Sequence, residues 1–356
     1  MPIEPRRFLP VSVVFHPHWW NQNYEFHFTE DFFYNPNVRV ESERKMRQIL
    51  YDRFGDIGLG EKNALPRPVV GPVHHALGYV VPAILGCDVQ YFEDSSPQVI
   101  TADMSEEEIL SLEVPDVQAI SPMKEIIEMM NVLEQRFGYL EGDINWEGVQ
   151  NIALYLRGNQ LFVDYYTNPG LARRLMDVVV RTMLEVARYV RSRTGTTSLT
   201  VNPSIANIDP KINLHSNCSV TMISNETYEE FLLPYDIYLS ERLQPYGIHH
   251  CGDNMEHVKE GFAKVEKCEF FDVGWGSNVA ECREALPDAW FNIRLSPVKL
   301  MTCTPQEVKC DVETLILQAA PLEKVGVCCI NMDAGIPDEN IRAIFEVVKQ
   351  YRRYGA

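Results

Sequence analysis

From residue 121 onward, short apolar runs alternate with capped helical stretches, and this rhythm limits the folds open to the chain. Ser121-Pro122 opens a helix whose Met123, Ile126, Met130, Leu133 and Phe137 share one face, and Gly138 stops it. Asn168-Pro169 opens a longer helix that runs through Leu175, Val179, Leu184 and Val190 towards Gly195. Strands are expected over residues 248–251, 269–273, 290–295 and 326–332. Between and after them lie helices over 254–265 and 304–319, and one opened by Pro337-Asp338-Glu339-Asn340. Strand, loop and helix in repetition indicate a parallel α/β sheet. No G-x-G-x-x-G follows a strand, and no phosphate-binding G-x-x-x-x-G-K-[ST] occurs. The expected architecture is therefore one domain over 1–356, an eight-stranded β/α barrel (a TIM barrel). Its chemistry belongs at the carboxyl ends of the strands.

The first 120 residues are irregular and rich in proline. A helix is expected over 42–54 with Ser42 as its cap, and Ser105-x-x-Glu108 reads as a capping box. This part is expected to be an extension covering the barrel mouth. Its opening is aromatic and rich in histidine, and Trp19, Trp20 and Tyr24 are candidates for the wall of a substrate pocket. The same rings could instead serve as a hydrophobic plug.

Composition excludes some partners. The chain carries 50 acidic and 32 basic side chains, a net charge of −18, so phosphate backbones and anionic lipid are poor partners. No signal-peptide pattern opens the chain, and no run approaches the ~18 apolar residues of a spanning helix. A soluble, cytoplasmic protein is expected. The nine cysteines are odd in number and scattered, which fits free thiols better than a disulfide framework.

The sharpest local feature is Gly247-Ile248-His249-His250-Cys251-Gly252. On a strand, His249 and Cys251 share a face and His250 takes the other. An imidazole and a thiolate at a strand end suit zinc, which accepts mixed nitrogen and sulfur donors and keeps one position open in catalytic sites. A third donor must come from elsewhere. Cys329 in Gly326-Val327-Cys328-Cys329-Ile330 is the first candidate; Cys328, Asp333 and the more distant Cys218 compete with it. H-x-C alone is a weak pattern, since a lone strand cysteine is more often a small core residue.

Several phrases resemble the uroporphyrinogen decarboxylase-like superfamily. Tyr228-Glu229-Glu230-Phe231-Leu232-Leu233-Pro234-Tyr235 is similar to its E-F-x-x-P-Y helix. Gly247 to Gly252 resembles the H-x-C-G strand of its methyltransferase members. Asn292-Ile293-Arg294-Leu295-Ser296-Pro297, Thr304-Pro305-Gln306-Glu307 and Pro337-Asp338-Glu339-Asn340-Ile341 follow in the family's order. The arginine-bearing R-Q-A-G-R stretch of the decarboxylases has no counterpart in Phe15-His16-Pro17-His18-Trp19-Trp20-Asn21.

The resemblance thus implies the zinc-dependent methyltransferase branch, in which His249, Cys251 and a late cysteine, here Cys329, would hold Zn2+. It also implies a corrinoid supplied by a partner protein, because this chain lacks the D-x-H-x-x-G of cobalamin carriers. The expected substrate is a small methylated compound such as an aryl methyl ether or a methylamine. The competing expectations are a metal-free lyase related to the decarboxylases and a non-catalytic barrel that binds corrinoid or tetrapyrrole.

Overall fold

The computed structural model describes residues 3–5, 7–70, 78–142, 147–195 and 208–354. Six strands form one parallel sheet: β1 (Val11–Phe15), β2 (Asn213–Ser216), β3 (Tyr246–His249), β4 (Cys268–Val273), β5 (Trp290–Arg294) and β6 (Val325–Met332). Their order in space is β1-β6-β5-β4-β3-β2, and every pairing is parallel. This is the α/β sheet that the rhythm calls for. Among the described residues it is a six-stranded half-barrel, and closure by eight strands is not seen. The N-terminal part does more than cover the mouth, because β1 enters the sheet beside the last strand.

Helix boundaries follow the local chemistry. Pro169–Thr194 is capped by the Asn168 side chain on Leu171 N and stopped by Gly195 in the left-handed region. Pro305–Gln318 begins with a full capping box between Thr304 and Glu307, and Ser105 with Glu108 forms another. The helix expected from Ser42 begins earlier, at Pro36, because Asn35 caps it and proline suits the first turn. At 254–265 the expected single helix is a 3-10 turn, Met255–Val258, followed by Lys259–Ala263. No helix among the described residues is long and apolar enough to cross a membrane.

Register sorts the strand residues into two faces. Ile248, Phe271, Phe291, Ile293, Val327 and Cys329 belong to the large core under the helices. On the inner face the rows run across the sheet: Leu214, Gly247, Phe270 and Trp290 lie below, and Ser216, His249, Asp272 and Asn292 lie two residues further on. The lower row is an apolar plug of Leu214, Phe270 and Trp290 with Ile208 and Ile212. The Phe270 and Trp290 rings stack at 5.2 Å. Gly326 admits the Trp290 indole, since a Cβ there would sit 2.3 Å from its ring. A dry layer below and a polar layer above place hydrogen-bonding groups only at the carboxyl end.

Trp19 and Trp20 are fully buried. Trp19 packs at 4.1 Å from Phe15 and 4.8 Å from Trp20, with the half-buried Tyr24 at 5.3 Å and the Arg53 guanidinium 5.0 Å above its ring. These aromatics plug the junction between β1 and the surrounding helices.

Candidate metal centre

Adjacent strand ends bring three donors together. Cys218, His249 and Cys251 place their ligand atoms within 4.8 Å of one another. Tetrahedral zinc would hold such atoms about 3.3–3.8 Å apart, so a small closing movement fits an ion of that size. His249 ends β3, and Cys251 lies in the turn beyond it. Cys218 opens a 3-10 turn, Cys218–Met222, just after β2, whose Ser216 pairs with His249. Asn217 N donates to His249 O at 2.8 Å and locks the two ends in step.

A buried network fixes the Cys218 turn. Asp236 accepts from Asn217 Nδ2, Tyr228 Oη and Tyr246 Oη, each at 2.7 Å, and bonds His215 Nδ1 at the same distance. Burial pushes the Asp236 pKa up, but His215 and the hydroxyl donors outweigh it, and the group is held below the ordinary aspartate value. Asn151 Oδ1 accepts from Ser219 N at 3.1 Å and pins the next residue.

The imidazole is oriented from behind. Asp272, opposite His249 on β4, bonds its Nδ1 at 2.6 Å and accepts from Asn292 Nδ2 at 2.5 Å. A carboxylate on Nδ1 leaves Nε2 to bind an ion, and is the usual outer partner of a metal-binding histidine. Burial and the Arg294 charge push the His249 pKa down, yet the hydrogen bond to Asp272 and the nearby Cys251 thiol prevail and raise it. The closeness of the two thiols lowers the pKa of Cys251 and raises that of Cys218. His249 and Arg294 add to the lowering at Cys251. One thiolate is thus ready at neutral pH, and an ion would displace the second proton.

The other expected donors lie elsewhere. Cys329 faces the helices, its Sγ 3.7 Å from Leu295 O and 3.8 Å from Ile330 O, so Cys218 takes the place expected for it. The cause is strand parity, which puts Cys328 and not Cys329 on the inner face. Cys328 lies three strands from β3, where its Sγ accepts from Asn292 Nδ2 at 3.2 Å. Asp333 bonds His18 Nδ1 at 2.6 Å.

The cluster opens on a cavity of about 680 Å3. Its wall includes Glu147, Tyr155, Trp275, Arg294 and the segment Ser95 to Val99, while Trp19, Trp20 and Tyr24 lie outside it. The residues expected as an aromatic pocket wall thus sit in the packed junction behind β1. A short antiparallel pair, Asp88–Gln90 with Gln98–Ile100, brings that segment over the mouth. Glu147 reaches the centre because Gly148 lets the backbone run against β2, where a Cβ would sit 1.7 Å from Ser216 O. Burial raises the Glu147 pKa; a hydrogen bond from Asn151 opposes the rise and the Cys251 charge adds to it. Glu147 and Asp272 escaped the sequence reading, and Arg294 was read only as part of a strand phrase, not as a site residue. The one signal for Asp272 and Arg294 was a polar residue within an apolar strand, as in Phe270-Phe271-Asp272-Val273 and Trp290-Phe291-Asn292-Ile293-Arg294; Glu147, in the loop before Val149–Arg157, had none.

Parallel strands that present a nitrogen and two sulfurs at their carboxyl ends define a class: an α/β half-barrel with a metal-competent mouth. The chain belongs to the uroporphyrinogen decarboxylase (URO-D) family, which it matches over residues 78–351. Among solved structures, a methyltransferase from Methanosarcina mazei is similar to it, with a TM-score of 0.66 and 13% identity over 98% of this chain and 95% of that one. A B12-independent methionine synthase from Shewanella sp. W3-18-1, in complex with selenomethionine, is similar with a TM-score of 0.51. The identity is 10% over 97% of this chain and 98% of that one. No curated protein matches the chain in sequence.

Proposed function

We propose that the protein is a zinc-dependent methyltransferase that demethylates a small substrate, with a corrinoid protein as its partner. One observation carries the reading: Cys218, His249 and Cys251 converge at a cavity, with Asp272 behind the histidine. The fold shared with a methyltransferase and a methionine synthase supports it.

Cys218, His249 and Cys251 would hold the ion and leave a fourth position towards the cavity. When bound, zinc would act as a Lewis acid on a substrate oxygen, nitrogen or sulfur. Asp272 keeps the imidazole in the tautomer whose Nε2 is free to bind. Glu147, a cavity-wall carboxyl whose pKa burial raises, is placed to exchange a proton with a leaving group or a thiol. Trp275 and the segment Ser95 to Val99 line the cavity beside these groups.

Anaerobically purified protein should contain close to one zinc per chain and transfer a methyl group to free cob(I)alamin from an aryl methyl ether or a methylamine. Cys251→Ala should lose metal and activity together. Full activity in a metal-free sample would end the proposal.

A further inference from the structure

We propose that Arg294 is the anion-binding, specificity-determining residue of this cavity, and that the substrate carries an acidic group such as a carboxylate. Arg294 closes β5 and is buried, 4% exposed, yet it lines the cavity. It is the single lysine or arginine among the described residues of that wall. A guanidinium is permanently charged, has five donors, and is costly to bury without acceptors.

The described residues satisfy little of that demand. Among the described residues no carboxylate makes an ion pair with Arg294, and its Nε has no partner. Nη1 lies 3.0 Å from His249 Nε2 and 3.2 Å from Nδ1. Near-equal distances to both ring nitrogens place Nη1 beside the Cε1 edge or over the ring face, away from the Nε2 lone-pair line. Arg294 therefore leaves Nε2 open for an ion, and its remaining donors lack good acceptors.

A carboxylate entering the cavity would supply two acceptors in the geometry a guanidinium fits best. Asp272 and the Cys218 and Cys251 sulfurs attract the Arg294 charge without forming an ion pair with it. Glu147 is pushed towards its neutral form, and Ser95, Ser96 and Gln98 are uncharged. Because Arg294 touches His249, the acid would sit within one small molecule's length of the metal position. The substrate class is thus a compact acid whose reacting group lies close to its anionic one. The location of that reacting group rests on the metal reading above; the anion subsite does not.

Calorimetric titration with methoxyacetate and its neutral amide, methoxyacetamide, tests this on zinc-loaded and chelator-treated protein. The wild type should bind the acid roughly tenfold or more tightly than the amide. Arg294→Gln should abolish the difference and Arg294→Lys should retain part of it, with zinc content and thermal midpoint close to wild type. Equal affinities in the wild type, or a gap that survives in Arg294→Gln, would overturn the proposal. A gap in chelator-treated protein that never takes up zinc would leave the anion subsite standing and remove the metal reading. Zinc uptake without a gap would do the reverse.

Discussion

The assignment of Cys218 over Cys329 can be tested by replacing each with alanine. Tight structural zinc sites contribute about 10–16 kcal/mol over four donors, or ~2.5–4 kcal/mol per donor, so losing one should weaken binding roughly 100- to 1000-fold. Cys218→Ala should show that loss, because its sulfur is one of the three that converge. Cys329→Ala removes a buried sulfur whose two contacts, at 3.7 and 3.8 Å, are backbone carbonyls on the helix side. It should cost about 1 kcal/mol of stability through lost packing and leave zinc affinity unchanged. Competition against a chromophoric chelator under anaerobic conditions reads the affinities, and urea unfolding of the metal-free proteins reads stability. Cys329→Ala protein that loses zinc, while Cys218→Ala keeps it, would refute the strand-face reasoning.

Asp272→Asn should lower zinc affinity about 10- to 100-fold, read by the same competition, because it removes the charge behind His249. Asp236→Asn should flatten the acid limb of stability against pH. The folded-state pKa is depressed, so the carboxylate's contribution is full above its unfolded value of about 3.9 and is lost as pH falls through the folded value. Urea midpoints between pH 6 and pH 3 that fall equally in variant and wild type would contradict this. Trp19→Ala should cost about 3–5 kcal/mol by chemical unfolding, as a core deletion does. A stable Trp19→Ala protein with a changed KM would restore the indole to the substrate wall.

The parallel α/β character was legible because helix caps are local: Asn168, Ser105 and Thr304 each bond a backbone amide within three residues. His249 and Cys251 were legible for a similar reason, as two donors two residues apart at a strand end. The third ligand was not. Which face of β6 looks inward depends on the pairing Cys328↔Arg294, a contact between distant segments, and so does the approach of Cys218 through Ser216↔His249. The aromatic opening left wall and plug both open for the same reason. A run of tryptophans and phenylalanines specifies burial, but whether it is buried by ligand or by protein is settled only by what packs against it. Here that is Phe15 on β1 and Arg53 on the Pro36–Phe54 helix.

The layering of the inner face connects these points. Parity requires that Leu214, Phe270 and Trp290 be followed two residues later by Ser216, Asp272 and Asn292 on the same side, and by Arg294 two residues beyond Asn292. The apolar row makes the sheet a plug, so no charge there could be solvated or paired. Each further step towards the carboxyl end gains access to the cavity, and the side chains change accordingly from aromatic to hydrogen-bonding to cationic. Asp272 occupies the middle step, where it bonds both His249 and Asn292 but lies outside the cavity wall. It can therefore fix the metal-binding ring without competing for substrate, while Arg294, one step higher, is left to bind it.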